Sequence, residues 1–423
     1  MAMKPRIPRQ AGGTNLQQLN AALTALGDKA SAASARGDYR AALQCAQQAQ
    51  RMAPQHAVPW MDAAVYSIKL EQWDDAIRYA QRALKAKGNG LAIYDALAHA
   101  WGVKQNAEEV RRWGLAALRL RDERFGAAPV LPHDVLAAPL PSAPSAQTRE
   151  NNLIAFSLFG ANPKYCETAI LNVLEQPAVY PHWRCVFFVD GSVPARVIER
   201  LRQGGRVIAV TDTRLLNAPG PMWRFLAYDL PDVHRVIFRD ADSVISPREA
   251  EAVQEWIDGG ERFHVMRDFA THTELILAGM WGVCAGALPP MRPLMENFLA
   301  QPVVSEHFAD QYFLRSCVWP YARQSLLQHD SQFGFLDARP FPGGIVPAAS
   351  HVGAAEGATY FNMPIDAADG TCVTWVLHHK DVEQREICSY EGVVRQRTLS
   401  AHLPARYGQR VREGQLGIRY KLL

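Results

Sequence analysis

The stretch Val236-Ile237-Phe238-Arg239-Asp240-Ala241-Asp242-Ser243-Val244-Ile245 carries an apolar run into two carboxylates two residues apart, after which apolar residues resume. Side chains at i and i+2 of an extended segment point to the same side. Two carboxylates so placed repel one another, and each carries a desolvation penalty beside an apolar run. A hard divalent cation, Mg²⁺ or Mn²⁺, removes both objections, and oxygen ligands at this spacing suit such an ion beside a diphosphate. Asp-x-Asp arises often by chance. This is the chain's one example, it ends an apolar strand, and Arg239 lies between the strand and the pair. The bland alternative is a solvated loop that caps the helix starting near Pro247.

The elements that must position this pair alternate between strand and helix. Asn152 to Gly160 reads as a buried first strand, followed by helical spacing from Tyr165 to Glu175. Arg184 to Val189 is a second strand ending at Asp190, Pro194 to Gln203 a helix with proline at its first position, and Arg206 to Val210 a third strand. This rhythm predicts an α/β layer with a mostly parallel sheet, in which ligands bind at the carboxyl ends of strands. Asp190 and the Asp240/Asp242 pair occupy such ends, so they are expected at one crevice.

Ahead of this region the chain repeats with a period of about 34 residues, the length of a helix–turn–helix repeat. Gly37-Asp38-Tyr39 aligns with Glu71-Gln72-Trp73 and Gln105-Asn106-Ala107, Ala42 with Ala76, Ala46 with Ala80, Ala49 with Ala83 and Ala117, and Trp60 with Tyr94. Small residues at fixed places let paired helices approach closely, with aromatics filling the gaps. The pattern resembles a tetratricopeptide array over 23–122, after a polar N-terminus (1–22) expected to be flexible. Its third unit is degenerate, with Gly114 in place of alanine. Such arrays bind partners or self-associate and carry no chemistry of their own. Residues 123–150, rich in Ala, Pro and Ser, read as a semi-extended linker at which the array should be separable. The α/β domain is expected over 151–394. The segment 395–423 is basic, with Arg395, Arg397, Arg406, Arg410, Arg412, Arg419 and Lys421 against Glu413. It reads as a solvated tail, or as a contact for an anionic bilayer or an acidic acceptor.

The bulk numbers exclude several classes. An apolar fraction of 48% and a charged fraction of 21% are those of a globular protein. A net charge of +3 gives no case for nucleic acid. Seven scattered cysteines without C-x-x-C point to reduced, buried thiols. With neither a signal-like N-terminus nor a spanning run, a cytoplasmic location is expected, with any membrane contact peripheral to the inner face.

Between Met222 and Ser246 the sequence MWRFLAYDLPDVHRVIFRDADSVIS resembles the nucleotide-sugar glycosyltransferases of the A-type fold, most closely the retaining enzymes of family eight. Arg224 stands sixteen residues before Asp240, near the family's spacing. Ile276 to Met280 falls where that family has an Asn-Ala-Gly strand, and Asp310-Gln311 resembles its Asp-Gln pair near the transferred sugar. The strand end Ser157-Leu158-Phe159-Gly160 is also similar to a group of bacterial and viral proteins classed as glycosyltransferases. Leu277 departs from the family's Asn, and the late His-containing motif that supplies a third metal ligand is absent. His378, after the strand Val373 to Leu377, or else His351 would replace it, and an imidazole would favour Mn²⁺.

The resemblance implies a Rossmann-like domain with a mixed, mostly parallel sheet. It implies a metal at Asp240, Asp242 and His378 (or His351). Donor contacts are implied at Ser157, Phe159, Asp190, Arg224, Arg239, Asp240, Arg267 and Gly279. Asp310, Gln311 and Asp268 stand near the reacting sugar, while Trp281 reads either as a sugar platform or as core. The expected function is metal-dependent transfer from a nucleotide sugar, a UDP-sugar foremost, to a protein or glycan acceptor recruited by the array. A non-catalytic scaffold with a glycosyltransferase-like domain is the alternative from another class. A nucleotidyltransferase would be expected to carry a Gly-rich basic loop after the first strand, and Ser157 to Lys164 makes a poor one.

Overall fold

The computed structural model describes residues 13–88, 90–127, 135–136, 138–302, 308–344, 346–347 and 350–423. An N-terminal helical array is followed in the chain by a mixed-sheet α/β domain. By contacts the chain divides into one unit of residues 1–130, 266–277 and 328–345 and another of 131–265, 278–327 and 346–423.

In the first unit, helices α1 (Gly13–Ala35), α3 (Ala57–Lys69) and α5 (Leu91–Val103) end at equal intervals along the chain. Their partners α2 (Tyr39–Met52), α4 (Trp73–Lys85) and α6 (Ala107–Phe125) begin at that same interval, so the sequence period becomes a helix-pair period. The repeat reaches into the turns. Gly37, Glu71 and Gln105 each take a positive φ, and only the first is the residue type that adopts it freely. Asp38 and Asn106 cap α2 and α6 by accepting from the N–H groups of Ala41 and Glu109. Aromatic pairs also recur, Trp60 with Tyr79 and Tyr94 with Trp113. Alanines 63, 64, 76, 80, 83 and 100 are buried where the helices cross. The helical region exceeds the expected 23–122, since Gly13 to Asn20 is already helix and residues 1–12 lie outside the described part.

Two later segments belong to this unit. Ala270 lies against Gly102 of α5, where an added Cβ would come within 2.4 Å of it. The Phe333 ring lies against Gly114 of α6, where a Cβ would come within 2.1 Å. Gly114 is therefore the seat of a buried ring and does not mark decay of the repeat. Arg121 of α6 pairs with Asp95 of α5 at 2.9 Å and with Glu274 at 3.1 Å, and the Thr273 hydroxyl donates to Asp95 at 2.8 Å.

The second unit holds the expected β/α alternation. β1 (Asn152–Leu158) is buried throughout and pairs in parallel with β2 (Arg184–Val189) and β4 (Arg235–Phe238), while β2 pairs in parallel with β3 (Arg206–Ala209). Helix α7 (Pro163–Val179) connects β1 to β2, and α8 (Ala195–Gly204) connects β2 to β3, with Pro194 as N-cap rather than first helical residue. The sheet order is β3-β2-β1-β4-β6-β5-β7, in which β6 (Trp281–Cys284) runs antiparallel to β4 and to β5 (Phe263–Arg267), and β7 (Leu326–Asp330) forms the edge. The apolar runs are near-continuous because both faces of the sheet are covered.

The linker expected over 123–150 opens inside α6, and further on four of its carbonyls are held by buried arginines. Residues 128–134 and 137 lie outside the described part, but Arg262 donates to the carbonyls of Leu136 and Ala138, and Arg235 to those of Pro141 and Ser142. The basic segment 395–423 is also folded. It forms β11 (Thr398–Pro404), α12 (Ala405–Arg412) and β12 (Leu416–Leu422), which pair or pack with β8 (Ala358–Pro364), β9 (Cys372–His379) and β10 (Glu386–Val393). Arg406 is bound by Glu356 and Glu175, and Arg397 by Asp366, while Arg395, Arg412, Arg419 and Lys421 are exposed. Among the described residues, no helix is long and apolar enough to cross a membrane.

Candidate active site

The parallel pairing of β2, β1 and β4 brings Asp190, Phe159 and Asp240 to the same end of the sheet. Arg224, in the 3-10 stretch Gly220–Asp229, is the hub. Its Nη1 donates to Asp240 Oδ1 at 2.5 Å and to the Arg239 carbonyl at 3.0 Å, and its Nη2 donates to Asp310 Oδ2 at 3.2 Å. The Ser157 hydroxyl accepts the Arg224 backbone N–H at 2.9 Å, so β1 fixes the arginine through that oxygen. Arg224 is 2% exposed at its side chain and Asp240 is 49% exposed. The arginine therefore orients the carboxylates, and Asp240 presents itself to solvent.

Beneath Asp240 lies Gly279, where a Cβ would stand 2.0 Å from Oδ2. Only glycine leaves that oxygen room. Asp310 starts α11 (Ala309–Phe313), which continues through the π-helical turn Leu314–Val318 into Trp319–Ala322. π turns of this kind are frequent at functional sites. Burial raises the Asp310 pKa against the opposing pull of Arg224. Asp242 is raised too, first by burial and then by the charge of Asp240, with Lys164 Nζ at 3.6 Å from its Oδ2 acting the other way. Lys164 sits in the first turn of α7, behind the Asn162 N-cap and Pro163. Sequence reasoning missed it. A lysine opening the helix after the first strand was the available signal, since a cation in that first turn stands near the strand ends where anionic ligands bind.

Other expected residues fall elsewhere. Arg239 does not reach the crevice. Its guanidinium is buried with Glu249 at 2.9 Å and donates to its neighbour's carbonyl, because a strand residue following a buried face alternates inward. Arg267 is fully buried in the first unit, donating to the carbonyls of Glu274 and Leu275 and to Gln328, which corrects its expected donor contact. Asp268, also in that unit, is buried, and its N–H donates to His272. Trp281 is core, stacked on Phe238 at 4.3 Å between ring centroids. Asp190 accepts from the Ser192 N–H and hydroxyl, and the Ser192 oxygen accepts the Gly160 N–H, which ties the ends of β1 and β2 together. Phe159, 45% exposed, meets Trp223 edge-on. Gln311 follows Asp310 and donates its N–H to that carboxylate.

His378 lies in β9, its Nδ1 against the His379 carbonyl and its Nε2 over Gly417. His351 opens the segment whose Gly353 lies against Met280 and whose Glu356 N–H donates to the Asp242 carbonyl at 2.7 Å. Among the described residues no group of three or more His, Cys, Asp or Glu side chains is placed to hold a metal ion, so neither histidine completes a ligand set with Asp240 and Asp242. The two carboxylates nonetheless suit a hard cation. Burial and then the charge of Asp240 raise Asp242, and the Asp240 oxygen over Gly279 is kept clear by the missing Cβ.

No protein-family profile matches the chain, and no curated protein matches it. Among solved structures it is similar to a mutant of the O-GlcNAc transferase of Thermobaculum terrenum at 13% identity and a TM-score of 0.27, over 59% of this chain and 54% of that one. The chain thus spans about half the length of that transferase.

Proposed function

We propose that the protein is a glycosyltransferase that takes its sugar from a nucleotide diphosphate donor, a UDP-sugar foremost, with Mg²⁺ or Mn²⁺ held by Asp240 and Asp242. The α/β domain is read as an A-type glycosyltransferase domain and the repeated helix pairs as a tetratricopeptide array. The observation that carries the proposal is that one buried arginine, Arg224, joins Asp240 to Asp310 at the strand ends where ligands bind, while Lys164 faces Asp242. Bound there, the cation supplies Lewis-acid stabilisation of charge on the departing diphosphate. Asp240 and Asp242 would be the protein groups that hold it.

The chain's own residues do the rest. Lys164 holds diphosphate oxygens through its ammonium group. Phe159 offers a ring face to the base, and the Asp190 carboxylate accepts from base or ribose. Arg224 keeps Asp240 and Asp310 from drifting apart or pairing elsewhere. Asp310, whose raised pKa suits it to hold a proton, stands with Gln311 on the sugar side. The acceptor is a protein or glycan.

The test is release of nucleoside diphosphate from a panel of nucleotide sugars with and without Mn²⁺, alongside calorimetric binding of UDP. Cation-dependent binding that is lost in Asp240→Asn and Asp242→Asn is expected. No cation-dependent binding of any nucleoside diphosphate would overturn the proposal.

A further inference from the structure

Helices α1, α3 and α5 present the same positions to a common groove, and the repeat makes the correspondence residue by residue. Thr24, Val58 and Ala92 are equivalent, as are Asp28, Asp62 and Ala96, and Ser31, Val65 and His99. Two cavities lie along this line. One, of about 270 Å³ between α3 and α5, is lined by Val65, Ala92, Ala96 and His99 together with Thr271 and Thr273 of the chain's own later segment. That segment lies along α5, with Ala270 on Gly102 and the Thr273 hydroxyl on Asp95. The other, of about 70 Å³, is lined by Thr24 and Asp28 of α1 and by Val58 and Asp62 of α3, with Cys45, Ala46 and Ala49 of α2 behind them, and none of its lining residues comes from outside the helices of the array. The α5 side thus receives a polypeptide segment beside Ala92 and Ala96, while at the equivalent Val58 and Asp62 no later segment lines the cavity among the described residues.

The chemistry of the two subsites differs. Asp95 is neutralised by Arg121, and Ala96 puts no charge at the repeat position. At the open subsite that position is Asp62, which pairs with no cation among the described residues and whose pKa burial raises to about 6. Leu23, Leu26, Val58 and Pro59 around it suit a methylene stem.

We infer that the groove between α1 and α3 binds a segment of a second protein and takes a lysine or arginine side chain, its stem along Val58 and Pro59 and its cation at Asp62. This goes beyond the transfer reaction and needs neither donor nor metal. The charged and titratable groups facing Asp62 are Asp28 on α1, Cys45 on α2 and Tyr66 on α3, and none is a cation.

Two fluorescein-labelled peptides test it on the full chain. Both copy Phe-Ala-Thr-His-Thr-Glu from the chain's own segment, one with lysine and one with norleucine in place of the first threonine. By fluorescence anisotropy the lysine peptide should bind about tenfold or more tightly than the norleucine peptide. Its affinity should rise as pH is raised through about 6. Asp62→Asn should make the two peptides equal, and Asp62→Glu should keep the preference. Equal binding of both peptides to the unaltered chain, binding of neither, or a lysine preference that persists in Asp62→Asn would each overturn the inference. A null result for donor turnover would leave it standing.

Discussion

A Cβ at position 279 would sit 2.0 Å from an oxygen of Asp240, closer than any real contact, so that carboxylate must move if glycine is replaced. Gly279→Ala is therefore expected to weaken cation-dependent UDP binding by about tenfold or more, a loss of ~1.4 kcal/mol, with the helical circular-dichroism signal unchanged. Calorimetry would show it, and unaltered affinity would mean that Asp240 does not depend on this floor. Asp242 makes the matching electrostatic prediction. Its folded pKa is raised, so the native state binds more protons than the unfolded one. In the absence of cation, stability should therefore fall as pH climbs from the ordinary carboxylate range through the raised value. Asp242→Asn should flatten that slope and raise the cation-free melting temperature near neutral pH, where ~1 kcal/mol corresponds to about 2–4 °C. Added Mn²⁺ should raise the melting temperature of the unaltered chain but not of the variant. With no third His, Cys, Asp or Glu side chain grouped with Asp240 and Asp242 among the described residues, His351→Ala and His378→Ala should each leave Mn²⁺ affinity within about twofold.

The elements were legible where their cause is local. Helix pairs announce themselves through alanines at fixed spacing, and β1, β2 and β4 through runs that only a sheet covered on both sides can hide. The i, i+2 carboxylates do not lie in an extended segment as expected: β4 ends at Phe238, and Asp240 and Asp242 stand in the turn that follows, where the Ser243 N–H donates to the Asp240 carbonyl. What stayed illegible depends on distant partners. Arg224 and Arg239 are both single arginines near the pair. That one clamps two carboxylates and the other closes on Glu249 follows from the packing of α9 (Pro247–Gly259) and the 3-10 stretch, not from their spacing. Lys164 gained its meaning only when the β1–α7 turn met Asp242. The antiparallel β6 and the seating of Phe333 on Gly114 belong to the same class. The Arg239–Glu249 pair offers a test at this scale. Removing one member leaves a buried charge, so Arg239→Ala should cost about 3–5 kcal/mol in chemical denaturation. A loss within experimental error would mean that Glu249 takes up a proton and the pair is dispensable.

At the scale of the molecule, the helical unit also takes in residues from beyond the linker, and this sets a prediction for a chain cut there. Residues 266–277 and 328–345 are built into the helical unit, Phe333 is wholly buried there, and Glu274 pairs with Arg121. A chain beginning near Gln147 would leave Phe333 and Ala270 uncovered and would lack Arg121 altogether. It should bind a hydrophobic dye and aggregate, as light scattering would show. A soluble, monomeric product with full donor turnover would contradict this.

The same seating has a consequence for synthesis. Helices α5 and α6 are complete at Phe125, but the segments that rest on Gly102 and Gly114 are translated only as far along as Ala270 and Phe333. At about 5–20 residues per second, the ribosome needs roughly 10–40 s between the two events. During that interval the nascent array holds two glycine-floored hollows with nothing in them. The first two repeats can fold as they emerge, whereas the third must wait for most of the α/β region to be made.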